Sequence, residues 1–410
     1  MTFAVRQLRE QFPSLGSGIA HFDSPGGTQT PRPVGEAIAA ALCGPLSNRG
    51  TSVASERNAE EAVGAFRQAM ADLLHADPRG IVYGRSATQL TYDFSRHLAK
   101  TWSPGDDIVL STLDHDANIR PWVQAAERSG VQVRWWEFDP RTAELPVAGL
   151  EQLLGPRTRL VAVTAASNLL GTITPMADIA ALAHAAGALL YVDGVHYTAH
   201  AVVDLPRLGA DFFVCSPYKF LGPHCAALAA DPALLETVQP DKLAPSTDVV
   251  PERFELGTLP YEIMAGVTAA VDFIAAQGDG GDETDRRSRI VSGSIRLEEH
   301  ETALRDAVED RLRAWEPVRV HSNAASRTPT TYFTIDGVSS RDVHRELAQA
   351  DILVPAGSFY ASMAFARLGL EDAEGLRIGM APYTDTGDVD RLTEALAAIV
   401  GRVSPVSSGH

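Results

Sequence analysis

The chain has 410 residues, long for one domain, and its 45% hydrophobic and 21% charged content is the ordinary balance of a globular protein. Its 35 basic and 52 acidic residues give a formal charge of −17 with no basic run, which argues against nucleic acid or an anionic membrane as partner. Cys43, Cys215 and Cys225 form no disulfide framework, residues 1–12 carry no apolar signal core, and no apolar stretch reaches membrane-spanning length, so a cytoplasmic protein is expected.

Residues 3–12 read as a short amphipathic helix. Ile19 to Gln29 follows, with a Pro25-Gly26-Gly27 turn in which glycine lets backbone approach a ligand closely. Residues 34–43 and 59–76 read as helices on either side of a polar segment, Ser47 to Ser52. Gly80 to Thr88 reads as strand, glycine turn and helix start, and 89–100 continues the helix. A helix start offers free N–H groups to a phosphate, although Ser and Thr there also serve as plain N-caps.

Ile108 to Ser111 is a strand that leads into Leu113-Asp114-His115-Asp116-Ala117-Asn118 and Trp122. Val131 to Phe138 and Arg159 to Thr164 are further strands, the second ending at Ser167-Asn168. Ile179 to Gly187 is the helix before the next apolar run, Ala188 to Val192, which closes on Asp193-Gly194. Asp211 to Cys215 is another such run, and Ser216, Pro217 and Gly222 then turn the chain. Strand and helix alternate from 80 to 220, the signature of a mostly parallel sheet, whose strands are buried on both faces. Asp193 and Lys219, 26 residues apart, would then both sit at the carboxyl edge, where ligands bind. Alone, each is an ordinary residue. Together they are the two groups that pyridoxal phosphate needs: a lysine to bond its aldehyde carbon and an acid to keep its ring nitrogen protonated.

His196 and His200 have the spacing of a metal pair, but the HExxH glutamate is missing and the flanks suggest a loop, so no metal is expected. Gly278 to Glu283 reads as a solvated connection. The C-terminal part reads as a smaller α+β unit. Residues 289–314 and 389–400 are its helices, and 331–335 and 375–380 its strands. Arg377 stands inside an apolar strand, where an unpaired charge is costly. The fold class expected is α/β, with a large domain over 20–262 and a small one over 263–410 joined by 1–19.

Val192-Asp193-Gly194, followed by Asp211-Phe212-Phe213-Val214-Cys215-Ser216-Pro217-Tyr218-Lys219-Phe220-Leu221-Gly222-Pro223, resembles the class V aminotransferase family of fold-type-I pyridoxal phosphate enzymes. The branch it is most similar to is the cysteine desulfurases. The resemblance implies that Lys219 carries the cofactor, Asp193 faces its ring nitrogen and His115 stacks on it. Ala87, Thr88, Ser216, Tyr218 and His196 are implied around the rest of the cofactor. Asn168 is implied at both its hydroxyl and the substrate carboxylate. Gly26, Gly27 and Arg377 are implied at the substrate carboxylate, and Asn48 and Arg49 at the mouth. Thr258, in Arg253-Phe254-Glu255-Leu256-Gly257-Thr258, is implied to reach the phosphate of the opposite subunit, which makes a homodimer with composite sites.

Five positions depart from the pattern. Pro217 replaces Gly, Tyr218 replaces His and His196 replaces Gln. In Val354 to Ala361, Pro355 replaces an arginine and Tyr360 stands where the desulfurase nucleophilic cysteine is expected, so Tyr360 is placed near the substrate. A phenol cannot take up sulfur as a persulfide. The expectation is therefore an enzyme acting on an amino acid or its S-conjugate, by C–S cleavage first. Transamination or decarboxylation with deamination are the alternatives. A non-catalytic cofactor-binding protein is disfavoured because Lys219, Asp193, His115 and Arg377 are all present.

Overall fold

The structure, a computed structural model, describes residues 4–281, 284–370 and 375–403. Phe3, where the N-terminal helix was expected to begin, and Glu283, at the end of the Gly278 loop, lie outside the described residues. The strands are β1 Ala20–His21, β2 Ile81–Gly84, β3 Asp107–Ser111, β4 Gln132–Trp136, β5 Thr158–Thr164 and β6 Leu189–Asp193. β7 Phe212–Cys215, β8 Ala226–Ala230, β9 Val318–Val320, β10 Thr330–Ile335, β11 Ile352–Leu353 and β12 Leu376–Gly379 complete the set among the described residues. Seven of them form one sheet in the order β2-β8-β7-β6-β5-β3-β4. All neighbours in it are parallel except β8, which runs antiparallel to both β2 and β7.

Both faces of this sheet are buried, and the side chains divide with a period of two. Val161 and Val163 of β5, with Phe213 and Cys215 of β7, join one core with helix Ala54–Leu74. Leu160 and Ala162, with Phe212 and Val214, join the other, under helices Ala87–Ala99 and Arg120–Ser129. A second sheet, β12-β10-β9, is antiparallel and packs with helices Arg286–Ala314, Ser340–Gln349 and Thr386–Val403 around Phe333, Leu376 and Ile378. No helix among the described residues is long and apolar enough to cross a membrane.

Two connections cross the expected division of the chain. Helix Tyr261–Ala275 runs through 262/263 and packs on helices Arg32–Cys43 and Ala54–Leu74, beside the large sheet. Ala20 and Phe22 pack into the core of the small sheet, and β1 pairs with β11. The N-terminal helix is shorter than expected, Val5–Arg9, because Pro13 opens a separate turn of 3₁₀ helix.

The parallel strands all end at one edge, the place where ligands bind in such sheets, and the residues that follow them line one cavity. β2 delivers Ser86, β3 His115, β5 Thr164, β6 Asp193 and β7 Ser216. Asp193 sits in register between Thr164 and Val214. Gly194 follows because Phe213 leaves no room for a side chain: a Cβ there would lie 1.9 Å from the ring. Gly194→Ala should therefore displace Phe213 or the β6 end, lowering the thermal midpoint. Gly64→Ala, exposed in the middle of helix Ala54–Leu74 with nothing within 4 Å, should raise stability by roughly 0.5–1 kcal/mol. Thermal unfolding of the two variants beside wild type checks the contrast.

Candidate active site

The strand ends enclose a cavity of about 330 Å³. Gly26, Ala87, Thr88, His115, Asn168, Asp193, His196, Ser216, Tyr218, Lys219, Tyr360 and Arg377 line it. Twelve of the sixteen site residues expected from sequence thus meet in one place. Gly27 lies just behind, with its Cβ position 3.2 Å from the Tyr218 ring. Asn48 and Thr258 are exposed on surface loops and do not line the cavity. Arg49 is held in ion pairs with Glu60 at 2.8 Å and Glu252 at 3.2 Å.

The chain has three lysines. Lys100 and Lys242 are paired with Asp241 and Asp248 at the surface. Lys219 is buried and its Nζ donates to the carbonyl of Pro25. Burial, with Arg377 adding repulsion, pulls its amine down to about 7, so the neutral form is available near neutral pH. Burial likewise pushes Asp193 up to about 6, although the Val195 N–H donates to its Oδ1 at 2.9 Å.

His115 is presented by a buried polar chain. Asn118 Nδ2 donates to Asp114 Oδ1 at 2.7 Å, Trp122 Nε1 donates to Asn118 Oδ1 at 3.0 Å, and Ser111 bonds the other Asp114 oxygen. This explains why the aspartate, asparagine and tryptophan recur at spacings of four around the histidine. The imidazole accepts the Ala117 N–H at Nδ1, 3.0 Å away. Burial first and Lys219 second hold it down to about 4, so it is uncharged at neutral pH.

One end of the cavity is the start of helix Ala87–Ala99, a place that can receive an anion. Ser86 caps it by accepting the Gln89 N–H at 3.1 Å, and Ala87 and Thr88, in its first turn, line the cavity. Tyr218, which replaces a histidine, is held by a near-parallel stack on His224, 4.8 Å between centroids.

Among the described residues, three buried polar atoms around the cavity have no partner: His196 Nδ1, Asn168 Oδ1 and Arg377 Nε. Such atoms are costly unless a ligand meets them. His196 Nε2 is fixed between Thr328 Oγ1 at 2.9 Å and Thr330 Oγ1 at 3.0 Å, so its free nitrogen faces a defined direction. His200 is engaged elsewhere, with Glu301 at 2.9 Å. A buried acid, a neutral lysine, a helix start and unfilled polar atoms together fit pyridoxal phosphate. Sequence reasoning missed Pro25, Ser86 and Phe359, which act through a backbone carbonyl, a cap and a loop conformation.

Capture of pyridoxal phosphate by the cofactor-free protein should speed up as pH rises through about 7, where Lys219 loses its proton. Arg377→Leu removes a positive neighbour, raises the lysine's affinity for its proton and should move that midpoint to higher pH. Stopped-flow absorbance between pH 6 and 9 measures both; a shift to lower pH would contradict the electrostatics described.

Comparison with known proteins shows the family. Residues 20–392 match the Aminotransferase class-V family. A probable cysteine desulfurase of Pseudomonas aeruginosa is 30% identical over 410 residues, covering 95% of this chain and 96% of its own. An aminotransferase-like protein of Gibberella zeae is 29% identical over 415 residues, covering 97% and 99%. The solved structure of an Escherichia coli cysteine desulfurase superposes with a TM-score of 0.85 at 26% identity, covering 98% of this chain and all of that one. The chain belongs to the class-V aminotransferase family.

Proposed function

We propose that this protein is a C–S lyase that cleaves S-substituted amino acids without forming a persulfide on itself. Pyridoxal phosphate is the cofactor; when bound on Lys219 it supplies the electron sink for charge at the substrate α-carbon. The observation that carries the reading is Tyr360. It lines the mouth of the cavity, 75% exposed and 5.4 Å from the His115 ring, at the position expected for a nucleophilic cysteine. The cysteines lie elsewhere. Cys43 is exposed at the end of helix Arg32–Cys43, while Cys215 and Cys225 are buried. Burial pushes the Cys225 thiol up to about 12 and Cys215 higher still, which suppresses the thiolate that persulfide chemistry requires.

The residues divide the work as follows. Arg377 receives the substrate carboxylate. Lys219, neutral once freed, removes the α-proton. The Cβ–S bond then breaks with its electron pair on sulfur, which leaves as thiolate or, after protonation, as thiol. The three-carbon fragment hydrolyses to pyruvate and ammonium. His115 walls the cavity as an uncharged ring and keeps water from the reacting carbon.

The reading extends to a homodimer. Val53, Val249 and Leu256 are exposed on segments that Arg49 and Glu252 tie together, and Thr258 lies on the same loop. A second copy covering these side chains would bury them and bring Thr258 toward the neighbouring phosphate.

With cysteine S-conjugates, pyruvate, ammonium and thiol should appear in equal amounts; oxo acid without ammonium would indicate transamination, and carbon dioxide decarboxylation. Changing Cys43, Cys215 and Cys225 together to Ser or Ala should leave turnover largely intact, whereas Lys219→Ala abolishes it. A persulfide found by mass spectrometry on any of the three cysteines would overturn the proposal. Thr258→Ala should weaken cofactor retention, and light scattering should give a dimer at assay concentration.

A further inference from the structure

Arg377 is buried, and among the described residues no carboxylate forms an ion pair with it, although Asp23 lies near enough to favour its charge. Nη1 donates to the Asn168 backbone carbonyl at 2.9 Å, Nε has no partner, and the Cβ position of Gly26 lies 3.6 Å from Nη2. One face of the guanidinium is covered by the Phe359 ring, whose centroid is 3.7 Å from Cζ. An aromatic face stabilises a cation without neutralising it. An acid in its place would fill the fork with its own oxygens.

The ring reaches Arg377 through an uncommon backbone. Phe359 and Tyr360 are consecutive non-glycine residues at φ of 53° and 59°. Hydrogen bonds hold them there. Asn168 Nδ2 donates to the Phe359 carbonyl at 2.9 Å, and the Asp116 N–H donates to the Tyr360 carbonyl at 2.7 Å. Tyr332 donates to the Gly357 carbonyl at 3.1 Å and meets the Phe359 ring edge-on. One side of the guanidinium is therefore closed. The unpartnered Nε and the Nη2 beside Gly26 form the edge in its plane, where a planar two-oxygen anion can bond both nitrogens.

We propose that Phe359 is a specificity-determining residue that holds the Arg377 fork oriented and unpaired, and so selects amines bearing a planar carboxylate. It rests on the reading of Arg377 as the carboxylate anchor. Phe359 is a positioning residue here, acting through the guanidinium.

The test uses the holoenzyme and two unreactive probes, L-alanine and ethylamine, with the change in the cofactor's absorption spectrum as the binding readout. Phe359→Leu should weaken L-alanine roughly 3- to 30-fold, the span of cation–π interactions from exposed to desolvated sites, and leave ethylamine unchanged. Phe359→Tyr should restore L-alanine. If Phe359→Leu does not retain cofactor, Phe359→Met is read in the same way. Equal weakening of both probes, or no weakening while Arg377→Leu still abolishes the preference for L-alanine, overturns the proposal and leaves the anchor standing. No effect of Arg377→Leu overturns the anchor itself, and the proposal with it.

Discussion

Desolvation of charge at the carboxyl edge of the large sheet is the constraint on which the rest of this structure depends. Lys219, Asp193 and Arg377 are all buried in or against one cavity, and burial moves each of them toward its neutral form. A buried cation normally needs a partner of opposite charge. Here the direct contacts are a backbone carbonyl for Lys219 and a backbone carbonyl and an aromatic face for Arg377, while Asp23 acts on both, and Asp193 on Lys219, without an ion pair among the described residues. The fold therefore maintains groups that are held in position and incompletely satisfied, which is the electrostatic condition of a site built for a charged ligand.

The scaffold carries that strain because everything around it is packed. β6 and β7 lie in the middle of a sheet covered on both faces, and the residues following them have little freedom. The small sheet contributes Arg377 through β12, which is paired with β10 at Tyr332. The segment that follows β1 locks onto β12: a Cβ at Gly379 would lie 2.1 Å from Pro25, and Pro25 offers its carbonyl to Lys219. The cation of one sheet and the anchor of the other are thereby fixed through a single proline-glycine turn.

Much of this was legible in the sequence, for identifiable reasons. Central parallel strands must be continuously apolar, so Ala188 to Val192 and Asp211 to Cys215 announced themselves, and the acid and lysine closing them followed. Arg377 stood out because a charge inside an apolar strand demands an explanation. β8 was missed because Ala226–Ala230 is mostly alanine, which carries little strand preference. Helix Tyr261–Ala275 was missed because its residues are apolar over most of the surface, without a polar face to mark the period. Phe359 was hidden for a different reason: its role depends on left-handed backbone at two non-glycine residues, which no side-chain pattern encodes. Asn48 and Thr258, placed by resemblance alone, lie on exposed loops outside the cavity of a single chain.

The account stands on Lys219 as the residue that bears the cofactor, and the chain's composition makes the decisive measurement simple. With three lysines, two of them in surface ion pairs, reduction of the yellow holoprotein with borohydride followed by peptide mapping has three possible outcomes for lysine attachment. The account predicts a stable pyridoxyl group on Lys219 alone. A pyridoxyl group on Lys100 or Lys242, or a protein that takes up no cofactor and traps nothing, would contradict it.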